Sequence, residues 1–303
     1  MIYDKMSDCF KTLNTKINNS LNNSDLDSIF YTLDSITGPT IVCGVGGSSI
    51  VGKYLSKVLR EKNHIVSTFV LPRDIQYMDL SGYENIIAVS YSGSNIGVGV
   101  LLDTKLNKYL FTGKPRDGFT NMVYKMDPEV SYVSISATLT PMAILLMYYC
   151  RDKKILDEIL SLDINTTSNN NDYEVMSGYE TNTAEILLES SLIEGGLGSC
   201  IVHDKYNYCH GRINLTKIKD SDLIFFKSDN ELDNLLYVGL SKHYKNIITI
   251  NNRYDDLVIN DFYASYISMK LIEKIAINKD IDISDMKELE DNDMYYLFKG
   301  KMK

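Results

Sequence analysis

A chain of 303 residues, 44% hydrophobic and 23% charged, has the length for two α/β domains and the composition of a globular protein. Its formal net charge of −9 gives no general attraction for nucleic acid, and the run Lys299-Gly300-Lys301-Met302-Lys303 is too short to act as a basic arm. No stretch approaches the length of a membrane span, and the opening MIYDKMSDCFKTL has no apolar core of signal-peptide length, so no membrane association is expected.

The five cysteines, Cys9, Cys43, Cys150, Cys200 and Cys209, are scattered and odd in number, which fits a reducing cytoplasm. Cys43, Cys150 and Cys200 sit in apolar runs and read as small core residues. With four dispersed histidines, no pair has metal-ligand spacing, so neither a metal nor a cofactor is expected.

After an N-terminal helical segment, apolar runs alternate with helical patterns. Ile41–Val45 reads as a strand, Ile50–Leu59 as a helix, Ile65–Leu71 as a second strand and Asn85–Ser90 as a third. A helix through Val98, Leu101 and Leu102 follows, then strands at Lys108–Thr112 and Tyr132–Ile135, and a long apolar helix from Pro141. Asn165–Asp172 is polar and turn-rich, and marks a linker. Beyond it the alternation restarts, with strands at Tyr173–Met176, Cys200–Val202, Leu223–Lys227 and Asn246–Ile250. Helices there cover Ala184–Ile193, Leu232–Leu240 and Phe262–Ile277. The rhythm predicts an α/β protein of two related domains, residues 1–164 and 165–303, each a parallel sheet flanked by helices.

The most informative stretch is Ile41–Gly52, a buried strand, a turn Gly44-Val45-Gly46-Gly47-Ser48-Ser49 and a helix start. Such a turn lets backbone N–H groups and the positive end of a helix dipole approach a phosphate. A P-loop would need Gly-Lys-Ser/Thr where this chain has Ser48-Ser49-Ile50. A dinucleotide fingerprint forced onto Gly44, Gly46 and Ser49 fails at its third position. A second loop, Ser90-Tyr91-Ser92-Gly93-Ser94-Asn95, follows the third strand with hydroxyls, an amide and a helix start. Hydroxyls and backbone amides bind a dianion without net positive charge. Either loop alone is explained by helix capping; two at the carboxyl ends of strands in one domain point to a phosphate site.

Gly-x-Gly-Gly-Ser-Ser, followed some forty residues later by Val-Ser-Tyr-Ser-Gly-Ser-Asn, resembles the SIS (sugar isomerase) domain. The resemblance is specific over about residues 40–100, and among two-domain members it is nearest the archaeal-type bifunctional phosphoglucose/phosphomannose isomerases. It implies that a sugar phosphate is held by Gly46, Gly47, Ser48, Ser49, Ser90, Ser92, Ser94 and Asn95. Ser94 and Asn95 stand where that family usually has Asn and Thr.

The same resemblance implies aldose–ketose isomerisation through an enediol, without metal, in a homodimer. That chemistry needs a base, a ring-opening acid/base and a positive group for the enediolate. Glu194, just before Gly195-Gly196, and His210, sixteen residues on, have the family's order and spacing for base and ring opener, with His210 donated across the dimer interface. Arg116, or Lys114 beside it, occupies the strand-end loop where the family carries its Arg, and Lys287 falls where it has its C-terminal Lys. Arg212, in His210-Gly211-Arg212, is a further sugar or phosphate contact. His203 and Asp204 follow a strand and border the site, whereas His64 and His243 read as surface residues. Two other readings stay open: a non-catalytic phosphosugar sensor, and an isomerase or deaminase of amino-sugar phosphates.

Overall fold

The computed structural model describes residues 9–94, 96–128, 133–212 and 219–284. They divide into two compact units, one of residues 13–128 and 136–149, the other of 9–12, 133–135 and 150–284.

The first unit opens with helices α1 (Leu13–Asn23) and α2 (Leu26–Ser35), the second capped by Asp25, whose carboxylate accepts from the Ser28 N–H. Then come β1 (Thr40–Cys43), α3 (Gly47–Asn63), β2 (Ser67–Val70), β3 (Asn85–Val89), α4 (Ile96–Leu101), β4 (Asn107–Thr112), β5 (Thr120–Val123) and α5 (Ser136–Cys150). All five strands are parallel, in the order β2-β1-β3-β4-β5. β1 and β3 are buried at every position, as central strands covered on both faces must be. Ile41, Cys43, Ile86, Ala88 and Leu110 form one face and pack with Val98 and Leu101 of α4.

The fifth strand is Thr120–Val123, not the expected Tyr132–Ile135, of which Tyr132 lies outside the described residues; it pairs with β4 from Tyr109↔Thr120 to Thr112↔Val123. Val133 and Ile135 are buried at 3% and 1% exposure, but they lie in a turn before α5. Their apolarity reports burial, whereas β5 is an edge strand with a single fully buried side chain, Met122, and so carries little apolar signal.

The second unit holds α6 (Lys153–Leu160), β6 (Asp172–Ser177), a 3₁₀ turn at Tyr179–Thr181, α7 (Asn182–Glu194), β7 (Ser199–Asp204), α8 (Lys205–Cys209), β8 (Asp222–Lys227), α9 (Glu231–Leu240), β9 (Ile247–Asn251) and α10 (Leu257–Lys279). Its parallel sheet runs β7-β6-β8-β9. Met176, Leu223 and Phe225 face Tyr208, Leu236, Leu240 and Tyr244. Against the opposite face, α7 is pinned to α10, because Asp261 of α10 accepts from the N–H groups of Thr183 and Ala184 at 3.3 and 3.1 Å. The polar stretch read as a linker is tied down in this unit: the Ser168 hydroxyl donates to Asp222 at 2.6 Å and the Asn170 amide to the same carboxylate at 3.1 Å.

Of the three cysteines read as core, only Cys43 is fully buried, and burial pushes its thiol up to about 12. Cys150 and Cys200 are half-buried. Among the described residues, no helix is long and apolar enough to cross a membrane.

Candidate functional site

The strand order of the first sheet reverses between β1 and β3, and the crevice outside the carboxyl ends at such a reversal is where open parallel sheets bind ligands. β1 ends at Cys43, and α3 leaves the same crevice from Gly47. A Cβ on Gly44 would lie 2.4 Å from the Ser48 carbonyl oxygen, so only glycine lets the chain double back this tightly. Gly46, at φ 59°, is the N-cap of α3. Lacking a side chain, it offers no acceptor to the first-turn N–H groups of this 17-residue helix. Ser49 closes on the turn instead, its N–H and its hydroxyl both donating to the Gly46 carbonyl, at 2.8 and 2.7 Å. Gly46 is exposed, and Gly47, Ser48 and Ser49 are half-buried. The helix dipole therefore meets solvent at an end with no side-chain cap, a place that favours an anion.

The second loop leaves the adjacent strand at the same edge, since β1 and β3 pair in register from Thr40↔Asn85 to Cys43↔Ala88. Ser90 is buried, and its carbonyl accepts from the Gly93 N–H at 3.2 Å, closing a tight turn. The Ser92 and Ser94 side chains are exposed and 3.1 Å apart, oxygen to oxygen. Arg116, carried by the loop after β4, donates from Nη1 to the Gly93 carbonyl at 3.0 Å. Its own backbone is fixed at both ends by the Asn121 amide. Lys114 is exposed, with only its backbone tied, to the Thr112 hydroxyl. Of the two cations the sequence offered, Arg116 is the one bonded to the hydroxyl loop. Asn95 lies outside the described residues.

The catalytic candidates of the second unit do not converge within one chain. Glu194 is the last residue of α7, exposed, accepting from the Ser190 hydroxyl at 2.6 Å. His210 caps the carboxyl end of α8 and is also exposed. Glu194 precedes β7 and His210 follows it, so the two sit at opposite edges of the sheet, separated along the strand by about 20 Å. Lys287 lies outside the described residues. Of the other histidines, His64 is exposed at the end of α3 and His243 is half-buried.

Sequence reasoning missed Glu174, which is 4% exposed in the middle of β6. The available signal was a lone acid inside the apolar run Tyr173-Glu174-Val175-Met176, since a charge buried in a strand must be paired. Its Oε2 lies 2.8 Å from His203 Nε2 and 2.7 Å from the Tyr244 hydroxyl, and its Oε1 accepts from Lys219 Nζ at 2.7 Å and the Ser221 hydroxyl at 2.8 Å. Burial alone would raise this carboxyl, but the four donors outweigh it and hold it well below the usual carboxylate range. The far nitrogen of His203, Nδ1, lies 2.8 Å from Arg212 Nη1. His203 is thus 7% exposed and buried between a carboxylate and a guanidinium.

At the carboxyl edge of the second sheet, the strand order reverses between β6 and β8. Here the position equivalent to the first unit's crevice is closed by charge. Lys205, 2% exposed, donates to Glu180 at 2.6 Å and to Asp233 at 2.7 Å. Ser228 adds bonds from its hydroxyl to Glu180 at 3.1 Å and from its N–H to Asp233 at 2.6 Å. Among the described residues, no three His, Cys, Asp or Glu side chains gather into a metal-binding group.

No family model and no curated protein matches the sequence. Solved structures do match the fold. The C-terminal domain of glucosamine–fructose-6-phosphate aminotransferase from Francisella tularensis superposes with a TM-score of 0.70 at 13% identity, covering 93% of this chain and 97% of that one. Glucosamine-6-phosphate deaminase from Thermotoga maritima gives 0.73 at 13% identity over 95% and 98%. Tagatose-6-phosphate ketose/aldose isomerase from Escherichia coli gives 0.67 at 12% over 94% and 95%. At such identities the likeness establishes a shared fold, an α/β architecture of parallel sheets flanked by helices.

Proposed function

We propose that the chain binds a sugar phosphate at the β1/β3 crevice and interconverts an aldose and a ketose phosphate through an enediol. The observation that carries this is the uncapped N-terminus of α3 at the strand-order reversal, with the Ser90–Ser94 loop on the adjacent strand and Arg116 bonded to that loop. The structural relatives support the substrate class, since by their names all three act on hexose or amino-hexose 6-phosphates. Within that class we favour glucose or mannose 6-phosphate against fructose 6-phosphate. The phosphate would sit on Gly46, Gly47, Ser48, Ser49, Ser90, Ser92, Ser94 and Asn95. Glu194 would move the proton between C1 and C2, His210 would open the ring, and Arg116, with Lys287, would stabilise the developing charge.

Glu194 and His210 lie at opposite ends of β7, and on this reading they meet in a homodimer, with His210 of one chain reaching Glu194 of the other. The test is exchange of the C2 proton of glucose 6-phosphate with deuterated solvent. We expect exchange and turnover in the wild type, and Glu194→Ala and His210→Ala variants that bind fructose 6-phosphate but lose at least about a hundredfold in kcat. Full turnover in both variants would refute the assignment. The separation of Glu194 and His210 also favours a second reading, a sensor that binds phosphosugars without turning them over; binding with no exchange in the wild type would establish it.

A further inference from the structure

The buried Glu174–His203 pair has no part in the chemistry above, and its geometry fixes a proton. Arginine has only donors and cannot be deprotonated in a protein. The 2.8 Å contact of Arg212 Nη1 with His203 Nδ1 therefore requires a lone pair on Nδ1. The proton of a neutral ring must then sit on Nε2, where Glu174 Oε2 accepts it at 2.8 Å. Glu174 is kept ionised by Lys219, Tyr244 and Ser221, and the Tyr208 ring packs edge-on against the imidazole at 5.2 Å. These side chains come from β6, α8 and the segments leading into β8 and β9, and they fix the imidazole in one plane and one tautomer. Arg212 is exposed, spends one donor on His203, and stands two residues beyond His210 at the carboxyl edge of the sheet.

We propose that Glu174 and His203 are positioning residues that hold the Arg212 guanidinium as an arm for the phosphate or the anionic oxygen of the sugar substrate. The proposal rests on the phosphosugar reading above.

The test has two independent readouts. Nitrogen-15 NMR of the full-length protein at pH 8 should find His203 neutral with its proton on Nε2; a proton on Nδ1, or a charged ring at that pH, would overturn the relay whatever the protein binds. Steady-state kinetics with fructose 6-phosphate supply the second. Arg212→Ala should raise KM about tenfold or more with a smaller change in kcat. His203→Phe should cost the same as Arg212→Ala, and the double variant no more than either. Additive losses would overturn the proposal. Arg212 is exposed, so its variant and the NMR result decide the matter even where His203→Phe fails to fold. Wild-type protein that binds no sugar phosphate would overturn both the functional reading and the role of the arm, while the NMR result would still decide whether the relay exists.

Discussion

Gly44 tolerates no side chain, because a Cβ there would meet the Ser48 carbonyl oxygen, a backbone atom that cannot swing aside, at 2.4 Å. Gly44→Ala should therefore cost about 1–3 kcal/mol by forcing the turn open. The same shift tilts the N-terminus of α3, so calorimetry with fructose 6-phosphate should lose affinity alongside the drop in Tm. Arg116 and Lys114 allow a cleaner comparison, because two cations two residues apart contribute nearly the same long-range field. Only Arg116 is bonded to the Ser90–Ser94 loop. Arg116→Ala should weaken fructose 6-phosphate binding about tenfold or more, whereas Lys114→Ala should change it by less than about threefold, and mostly at low salt. Equal losses in the two would mean that the loop responds to net charge and not to a placed guanidinium.

Each sheet reverses strand order at its first strand, yet the two reversals have been put to different uses. In the first unit the turn after β1 is glycine and serine; in the second, the equivalent edge is knotted by Lys205, Glu180 and Asp233. Lys205 is nearly inaccessible, so Lys205→Met would leave two carboxylates facing each other with no counter-charge. The expected loss is about 3–5 kcal/mol, read as a shift in the urea midpoint. This contrast also marks what the sequence revealed. The strands and helices were legible because burial on both faces writes apolar runs such as Ile86-Ile87-Ala88-Val89, and the glycine turn was legible because its backbone needs glycine. β5 was illegible because an edge strand needs little apolarity. The Glu174 and Lys205 clusters were illegible because their partners come from segments as far apart as positions 174 and 244, or 180 and 233, and no local period records that pairing.

Across the whole molecule, acid and assembly set the limits. Glu174 and Glu180 are both held below their ordinary range of about 4.5: burial opposes this, but it is outweighed by four side-chain hydrogen bonds on Glu174 and by the hydrogen bond and charge of Lys205 on Glu180. Each therefore contributes stability that is complete above that value and is lost as pH falls beneath it toward the lowered one. Thermal denaturation should show a nearly level Tm from pH 7 to 5 and a steep decline below about pH 4.5, and Glu174→Gln should flatten that decline. On the proposed reading, assembly bears on catalysis directly. A symmetric dimer with sites composed of Glu194 from one chain and His210 from the other makes a specific demand on mixtures of variants. Neither Glu194→Ala nor His210→Ala homodimers would contain an intact site. A heterodimer of the two has one site with both lesions and one with none. Random reassortment of equal amounts makes half the dimers heterodimeric, each with one of two sites intact, so turnover should recover to about a quarter of the wild-type value. Sedimentation at the same concentration would verify that the chains are dimeric, and native mass spectrometry of an isotope-labelled mixture that they have exchanged. If they have and the mixture stays inactive, Glu194 and His210 do not meet across the interface.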